Sequence, residues 1–238
     1  MSSSLFVSAI LLAAGRSLRM GADRPRKPLL ELAGRTVLEL CVAAFAATEC
    51  VRELVVVVHA DDRTRVQDLL AGTPFASLVR AVIAGGEERT DSVRLGVAEI
   101  SAETAVILVH DVVRPFVRPE RIAAVAQMAA DRGAALLAVP VSDTIKTSRD
   151  GREVSGTLDR SILWSAQTPQ GFDAQRLRRV LARAHRDNFT PTDDAALFER
   201  YEGAVTLVEG DRDNIKLTTP TDLVLGEAIL RAREEALE

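Results

Sequence analysis

Short apolar runs recur at Phe6 to Leu12, Leu54 to Val58, Leu78 to Ile83, Ala105 to Val109 and Ala135 to Val139. Runs of this length, most of them rich in Val, Ile or Leu, predict core strands apolar on both faces. Between them, Thr36 to Thr48, Arg63 to Leu70, Asp91 to Ile100 and Pro119 to Arg132 carry apolar positions at helical spacing, and Pro119 suits a first helical turn. The alternation predicts an α/β fold: a doubly wound, mostly parallel sheet with helices on both faces and right-handed crossovers. After Pro140 the rhythm changes. The stretch 141–170 is polar and rich in Thr, Ser and Asp, with an Asp-Gly turn at Asp150 and Gly151, and predicts a projecting β-hairpin arm. Helices follow at Asp173 to Asp187 and Asp193 to Tyr201, a strand at Ala204 to Glu209, and a charged amphipathic helix at Thr219 to Leu237.

With 238 residues, 47% of them hydrophobic, the chain is long enough for one substantial core. There are no repeats, low-complexity tracts or obvious linkers, so residues 1–238 are expected to form a single domain, with 141–170 as its arm. The 30 basic residues nearly balance the 34 acidic ones, so no strongly basic face for nucleic acid is expected. Cys41 and Cys50 lack metal-site spacing and read as buried thiols of a reducing cytoplasm. The apolar stretch Leu5 to Ala14 has no preceding basic region, and a membrane span needs roughly 20 apolar residues. A cytoplasmic, soluble protein without membrane contact is therefore expected.

Candidate chemistry gathers where strands end. The first strand runs into Ala13-Ala14-Gly15-Arg16-Ser17-Leu18-Arg19-Met20-Gly21, a small-residue loop followed by Lys27. Small residues let backbone N–H groups approach phosphate oxygens, although a plain turn with surface arginines has the same composition. The spacing of neither a dinucleotide fingerprint nor a P-loop is present. The third strand leads into Gly85-Gly86-Glu87-Glu88-Arg89-Thr90-Asp91-Ser92, where Asp91 or Ser92 equally suits a helix N-cap. The fourth delivers His110-Asp111-Val112-Val113-Arg114. A carboxylate at a strand end suits Mg²⁺, a hard ion usually held by one or two carboxylates plus substrate phosphates; a local salt bridge between Asp111 and Arg114 is the plainer alternative. Three scattered histidines give no His-based metal cluster.

Taken in order, AAGRSLRM, GGEERTDSV, VHDVVRPFV, PVSDTIK, LDRSILWSAQTPQGF, TDDAALFE and VEGDRDNIKLTTPTDL resemble the 2-C-methyl-D-erythritol 4-phosphate cytidylyltransferase family over nearly the whole chain. The resemblance implies a nucleotidyltransferase-type fold, a homodimer that exchanges its arms, CTP and a polyol phosphate as substrates, and Mg²⁺ or another hard divalent cation. Ribitol 5-phosphate is the alternative acceptor, because related cytidylyltransferases share the nucleotide apparatus. By position it implies that Arg19 and Lys27 are catalytic cations, that Asp111 holds the metal, and that Ala13, Ala14, Gly15, Gly86, Glu87 and Ser92 contact the nucleotide. Thr144, Arg160, Thr192, Lys216 and Arg114 take the positions that bind the acceptor, with Thr144 and Arg160 serving the neighbouring subunit. The chain departs from the family pattern at Leu12, where a proline often stands, at Ser17, usually glycine, and at Glu87, usually aspartate. In Pro25-Arg26-Lys27-Pro28 either cation fits the catalytic position; Lys27 aligns better with the apolar segment after it.

Overall fold

The computed structural model describes residues 5–15 and 26–236. Numbered in chain order, the strands are β1 (Val7–Ala13), β2 (Glu31–Leu32), β3 (Arg35–Thr36), β4 (Val51–Val58), β5 (Val79–Ala84), β6 (Val106–Asp111), β7 (Ala134–Pro140), β8 (Lys146–Thr147), β9 (Gly156–Thr157), β10 (Trp164–Asp173) and β11 (Thr206–Glu209). The helices are α1 (Val37–Ala46), α2 (Arg63–Ala71), α3 (Arg89–Glu99), α4 (Pro119–Arg132), α5 (Ala174–Arg186), α6 (Asp194–Tyr201) and α7 (Pro220–Glu235).

The strands that read as apolar runs are the buried heart of the molecule. They lie in a 7-stranded sheet of order β11-β7-β10-β6-β1-β4-β5, parallel except for β10. Alternate residues feed opposite layers, as the two-residue repeat of a strand requires. Leu11, Val56 and Leu108 pack against α1, α2 and α4 through Cys41, Phe45, Leu70, Val125 and Ala129, with α7 leaning on the same side. Ile10, Val57, Ile107 and Val109 face α3, α5 and α6, meeting Val93, Val97, Leu177 and Phe198. Each Val, Leu, Ile or Phe among these contributes about 1.5–3 kcal/mol by leaving water, so the continuous sandwich fixes the sheet register firmly. Helix α3 packs closely because it carries glycine where it crosses β1: a Cβ on Gly96 would stand 2.6 Å from Cγ2 of Ile10.

Strand β10 departs from the expected arm. Residues 164–170 are not part of the projection: they begin a strand that runs antiparallel between β6 and β7 in the middle of the sheet. The projection proper lies between Val141, whose N–H donates to the carbonyl of Leu163 at 3.0 Å, and Leu163. Within it the short strands β8 and β9 pair, Lys146 opposite Thr157 and Thr147 opposite Gly156. The turn between them is tied by Asp150, whose Oδ1 accepts from the N–H groups of Arg152 and Glu153 at 2.9 and 3.1 Å. The β2–β3 hairpin, absent from the sequence reading, turns through Ala33 and Gly34, both at positive φ.

The strand order sets the position of the site. From β1 the chain builds outward through β4 to β5, then returns to place β6 on the other side of β1. Ligands in open α/β sheets gather beyond the carboxyl ends of the strands where the order reverses in this way. Here that crevice lies between β1 and β6, where Leu12 is paired with Asp111.

Candidate active site

A cavity of about 710 Å³ opens at this crevice, floored by Leu12, Ala13, Ala14 and Gly15 and walled by Lys27, Gly85 to Arg89, Ser92, Asp111 and Lys216. All six expected nucleotide contacts converge: Ala13, Ala14, Gly15, Gly86, Glu87 and Ser92 line it, as do Lys27, Asp111 and Lys216. Arg19 and Ser17 lie outside the described residues. Thr144, Arg160 and Thr192 are exposed and do not line the cavity; Arg160 donates to the carbonyl of Ser142 at 2.8 Å within the arm.

The Gly85–Glu88 wall is shaped by close contact. A Cβ on Gly85 would lie 2.5 Å from Cβ of Ala14 and 2.7 Å from Oγ of Ser92, so no larger residue lets this loop rest on the β1 loop. Ser92 does not cap α3. The helix begins earlier, at Arg89, with Glu88 and Asp91 in a capping box. That leaves the Ser92 hydroxyl to fix the loop, accepting from the Gly86 N–H at 3.1 Å and donating to the Glu88 carbonyl at 3.3 Å.

Asp111 is the charged centre. Its Oδ2 accepts from Nζ of Lys216 at 2.7 Å, and its Oδ1 from Nε and Nη2 of Arg89 at 3.3 and 3.2 Å. Burial works against its charge, but Arg89 and Lys216 outweigh it and hold the carboxyl down at about 2. Arg89 in turn reaches Oδ2 of Asp194 at 2.7 Å. Burial disfavours its charge too, yet the two carboxylates overcome that and raise the guanidinium above its ordinary value. Arg89 and Asp194 were not singled out from the sequence; the one available signal was an arginine following a Gly-Gly-Glu-Glu turn at a helix start.

The alternative salt bridge between Asp111 and Arg114 is not formed. Arg114 points away, donating from Nη1 to the carbonyl of Asn214 at 3.0 Å and from Nη2 to that of Ala166 at 3.3 Å. It does not line the cavity; it braces the loop that presents Lys216. That loop is clamped again by Asn214, whose Nδ2 donates to Oε1 of Gln167 and to the carbonyl of Thr168, both at 3.1 Å. Arg26 is likewise engaged elsewhere, bonded to Asp61 and Asp62 at 2.8 and 2.9 Å. Of the two candidate cations, Lys27 is the one at the cavity, with its Nζ donating to the Thr218 carbonyl at 3.1 Å.

His110 is structural. It is fully buried, its ring lies 5.1 Å from that of Phe45, and both nitrogens are engaged. Nε2 donates to the Arg114 carbonyl at 3.1 Å, so Nδ1 accepts from the Thr168 hydroxyl at 3.0 Å. Thr168 Oγ1 in turn accepts the Asp111 N–H at 3.1 Å. A bulge in β10 between Ala166 and Gln170 brings Thr168 to this position.

Among the described residues no group of three or more His, Cys, Asp or Glu is arranged to hold a metal. A carboxylate kept ionised, facing a cavity large enough for a phosphorylated ligand, still fits Mg²⁺, which takes its remaining ligands from phosphates and water. No described helix is long and apolar enough to cross a membrane.

Over residues 7–232 the sequence matches the family described as 2-C-methyl-D-erythritol 4-phosphate cytidylyltransferase. A relative of that name from Pelotomaculum thermopropionicum is 40% identical over 232 residues, covering 97% of each chain. Another, from Geobacillus kaustophilus, is 42% identical over 225 residues, 94% of this chain and 97% of the relative. Among solved structures, the 4-diphosphocytidyl-2C-methyl-D-erythritol synthase of Anaerococcus prevotii superposes with a TM-score of 0.84 at 30% identity, covering 96% of this chain and 97% of that one. The Thermus thermophilus 2-C-methyl-D-erythritol 4-phosphate cytidylyltransferase gives 0.78 at 33% identity, covering 95% and 100%.

Proposed function

The chain belongs to the 2-C-methyl-D-erythritol 4-phosphate cytidylyltransferase family, and from that premise we propose that it transfers CMP from CTP to 2-C-methyl-D-erythritol 4-phosphate and releases pyrophosphate, a step of non-mevalonate isoprenoid synthesis. One observation carries the reading: Lys27, Arg89 and Lys216 converge with Asp111 on one cavity beside the small-residue loop Ala13 to Gly15. Charged side chains with shifted titration gathered at one cleft mark a functional site. The relatives' names favour methylerythritol phosphate over ribitol 5-phosphate as acceptor.

The chemistry follows from the charges. A phosphate oxygen of the acceptor attacks the α-phosphorus of CTP in line, a P–O bond forms, and the bond to the bridging oxygen breaks with pyrophosphate as leaving group. Two polyanions approach each other only if their charge is neutralised: Lys27 and Lys216 line the cavity where that charge develops, and Arg19 is the further cation that the family resemblance assigns to the same task. Asp111 is the residue that would hold Mg²⁺, which when bound adds a further positive charge at the triphosphate oxygens. No general base is needed, because a phosphate monoester is already ionised near pH 7. The neighbouring histidine, committed to Thr168 and Arg114, is not one. The backbone of Gly86 and Glu87, with Ser92, forms the wall that reads the cytosine edge.

The acceptor is bound by Lys216 and Thr192 of one subunit together with Thr144 and Arg160 from the arm of a second, in a homodimer. Exposed apolar side chains on the arm, among them Val154, Leu158 and Ile162, support this, since Ile162 is 75% exposed in the single chain. Free Cys41 and Cys50 accord with a cytoplasmic enzyme. The test is pyrophosphate release from CTP and Mg²⁺ with each polyol phosphate in turn. Turnover with methylerythritol phosphate is expected; turnover with ribitol 5-phosphate alone would overturn the reading.

A further inference from the structure

Burial and bonding do not match at Asp194. The residue opens α6, is fully buried, and leaves its Oδ1 without a hydrogen-bond partner. Removing a carboxylate from water is costly, and a group kept for packing or capping is normally satisfied at both oxygens. Nor is Asp194 needed to anchor the helix. Its neighbour Asp193 caps α6, accepting from the Ala196 N–H at 3.0 Å and from Nε2 of Gln170 at 2.8 Å. The Oε1 of Gln170 accepts from the Ala195 N–H at 2.9 Å. The start of α6 is therefore locked to β10 without help from Asp194.

What Asp194 does fix is Arg89. Its Oδ2 takes Nη1 of Arg89 at 2.7 Å, leaving Nε and Nη2 directed at Oδ1 of Asp111. One guanidinium thus ties together the first turn of α3, the end of β6 and the first turn of α6. The two cations on Asp111 are held differently. Arg89 has two carboxylates, whereas the acid paired with Lys216 among the described residues is Asp111, and the Lys216 side chain is 43% exposed at the cavity. A substrate phosphate entering the cavity draws away the cation with the weaker tether.

Building on the proposed transferase reading, we infer that Asp194 is a positioning residue for nucleotidyl transfer. It holds Arg89 on Oδ1 of Asp111, so that Lys216 is the cation released to the phosphates while Asp111 keeps its orientation and its charge partner. Asp194 touches no substrate in this arrangement and acts through Arg89.

The test compares Asp194→Asn, Arg89→Lys and the double variant with the unmodified protein. The readouts are kcat and KM in the pyrophosphate assay, CTP affinity by calorimetry without acceptor, and thermal unfolding in a chelator. Asp194→Asn should lower kcat about 10- to 100-fold, the scale expected of a misplaced group, while CTP affinity changes less than about 3-fold. Its melting temperature should fall, because a buried ion pair is broken, but the variant should stay folded at the assay temperature, because Asp193 and Gln170 still anchor α6. The double variant should be no slower than Arg89→Lys alone, since Asp194 works through that side chain. Unchanged kcat in Asp194→Asn, a loss explained by its unfolded fraction, or additive losses in the double variant would each overturn the inference. If Asp194→Asn does not fold, unchanged kcat in Arg89→Lys has the same force. Absence of CTP-dependent turnover in the unmodified protein would instead sink the transferase reading.

Discussion

Mild acid should destabilise this protein through one side chain, and the size of the effect can be worked out. His110 is fully buried against Phe45, and burial, outweighing the attraction of Asp111, lowers its ring to about 4 from an ordinary 6.5. Between those values the unfolded chain binds a proton that the folded chain refuses. Stability is therefore intact above 6.5 and declines as the pH falls towards 4. At pH 5 the ratio of the two binding polynomials is about 30, or about 2 kcal/mol; at pH 7 it is close to one and the contribution nearly vanishes. His110→Gln removes the titrating group while keeping one amide donor and one acceptor. Urea unfolding of both proteins at pH 7 and pH 5 isolates the effect, because every other titrating group is common to the two. The unmodified protein should lose about 2 kcal/mol more than the variant on going to pH 5. Equal losses would show that the buried ring accepts a proton in the folded state and that the hydrogen-bond roles assigned to Thr168 and Arg114 are wrong.

Asp111→Asn should cut turnover at least about 100-fold with the melting profile of a folded protein, since the anionic anchor that would hold Mg²⁺ is lost; turnover near that of the unmodified enzyme would reduce Asp111 to a partner of Arg89 and Lys216. Lys27→Ala should cost about 100-fold in kcat, whereas Arg26→Ala, whose ion pairs among the described residues are with Asp61 and Asp62, should stay within about 3-fold in the same assay. The reverse order would reassign the catalytic cation. Gly96→Ala should lower stability by about 1–3 kcal/mol in denaturant titrations, because the new Cβ meets Ile10; an unchanged midpoint would mean α3 is free to ride away from β1. Subunits carrying Arg160→Ala mixed with subunits carrying Lys216→Ala should recover activity in heterodimers, each of which regains one site with both cations. No gain over either parent would place Arg160 in its own subunit's site.

Much of the frame was legible because it rests on apolar periodicity. The five strands read as Val-, Ile- and Leu-rich runs are all in the sheet, and Pro119 opens α4 as expected. Strand β10 was illegible for a specific reason. Its sequence, WSAQTPQGFD, has no apolar run, yet Gln167, Thr168 and Gln170 are buried in mid-sheet. They are stabilised by side-chain hydrogen bonds to distant partners, Gln167 to the Asp211 carbonyl, Thr168 to His110 and Gln170 to Asp193, and such pairings leave no periodic trace. The same holds at the site. Asp111 could be read from its place at a strand end, and Lys27 and Lys216 from the family resemblance, but the Arg89–Asp194 pair joins residues 105 positions apart. Only the fold makes those two neighbours.

The direction of β10 has a further consequence for how such a protein can change. Because that strand runs against its neighbours, the excursion leaves β7 and re-enters β10 on adjoining rungs, Pro140 opposite Trp164, with Ser165 opposite Val139 below. Residues can be added or removed between Val141 and Leu163 without shifting one pair of the ladder beneath. The arm is in this sense a cassette, closed at its base by a single backbone hydrogen bond. Exchanging it for another sequence at those two junctions would alter what the chain meets at its periphery while the charged machinery between β1 and β6 stays in register.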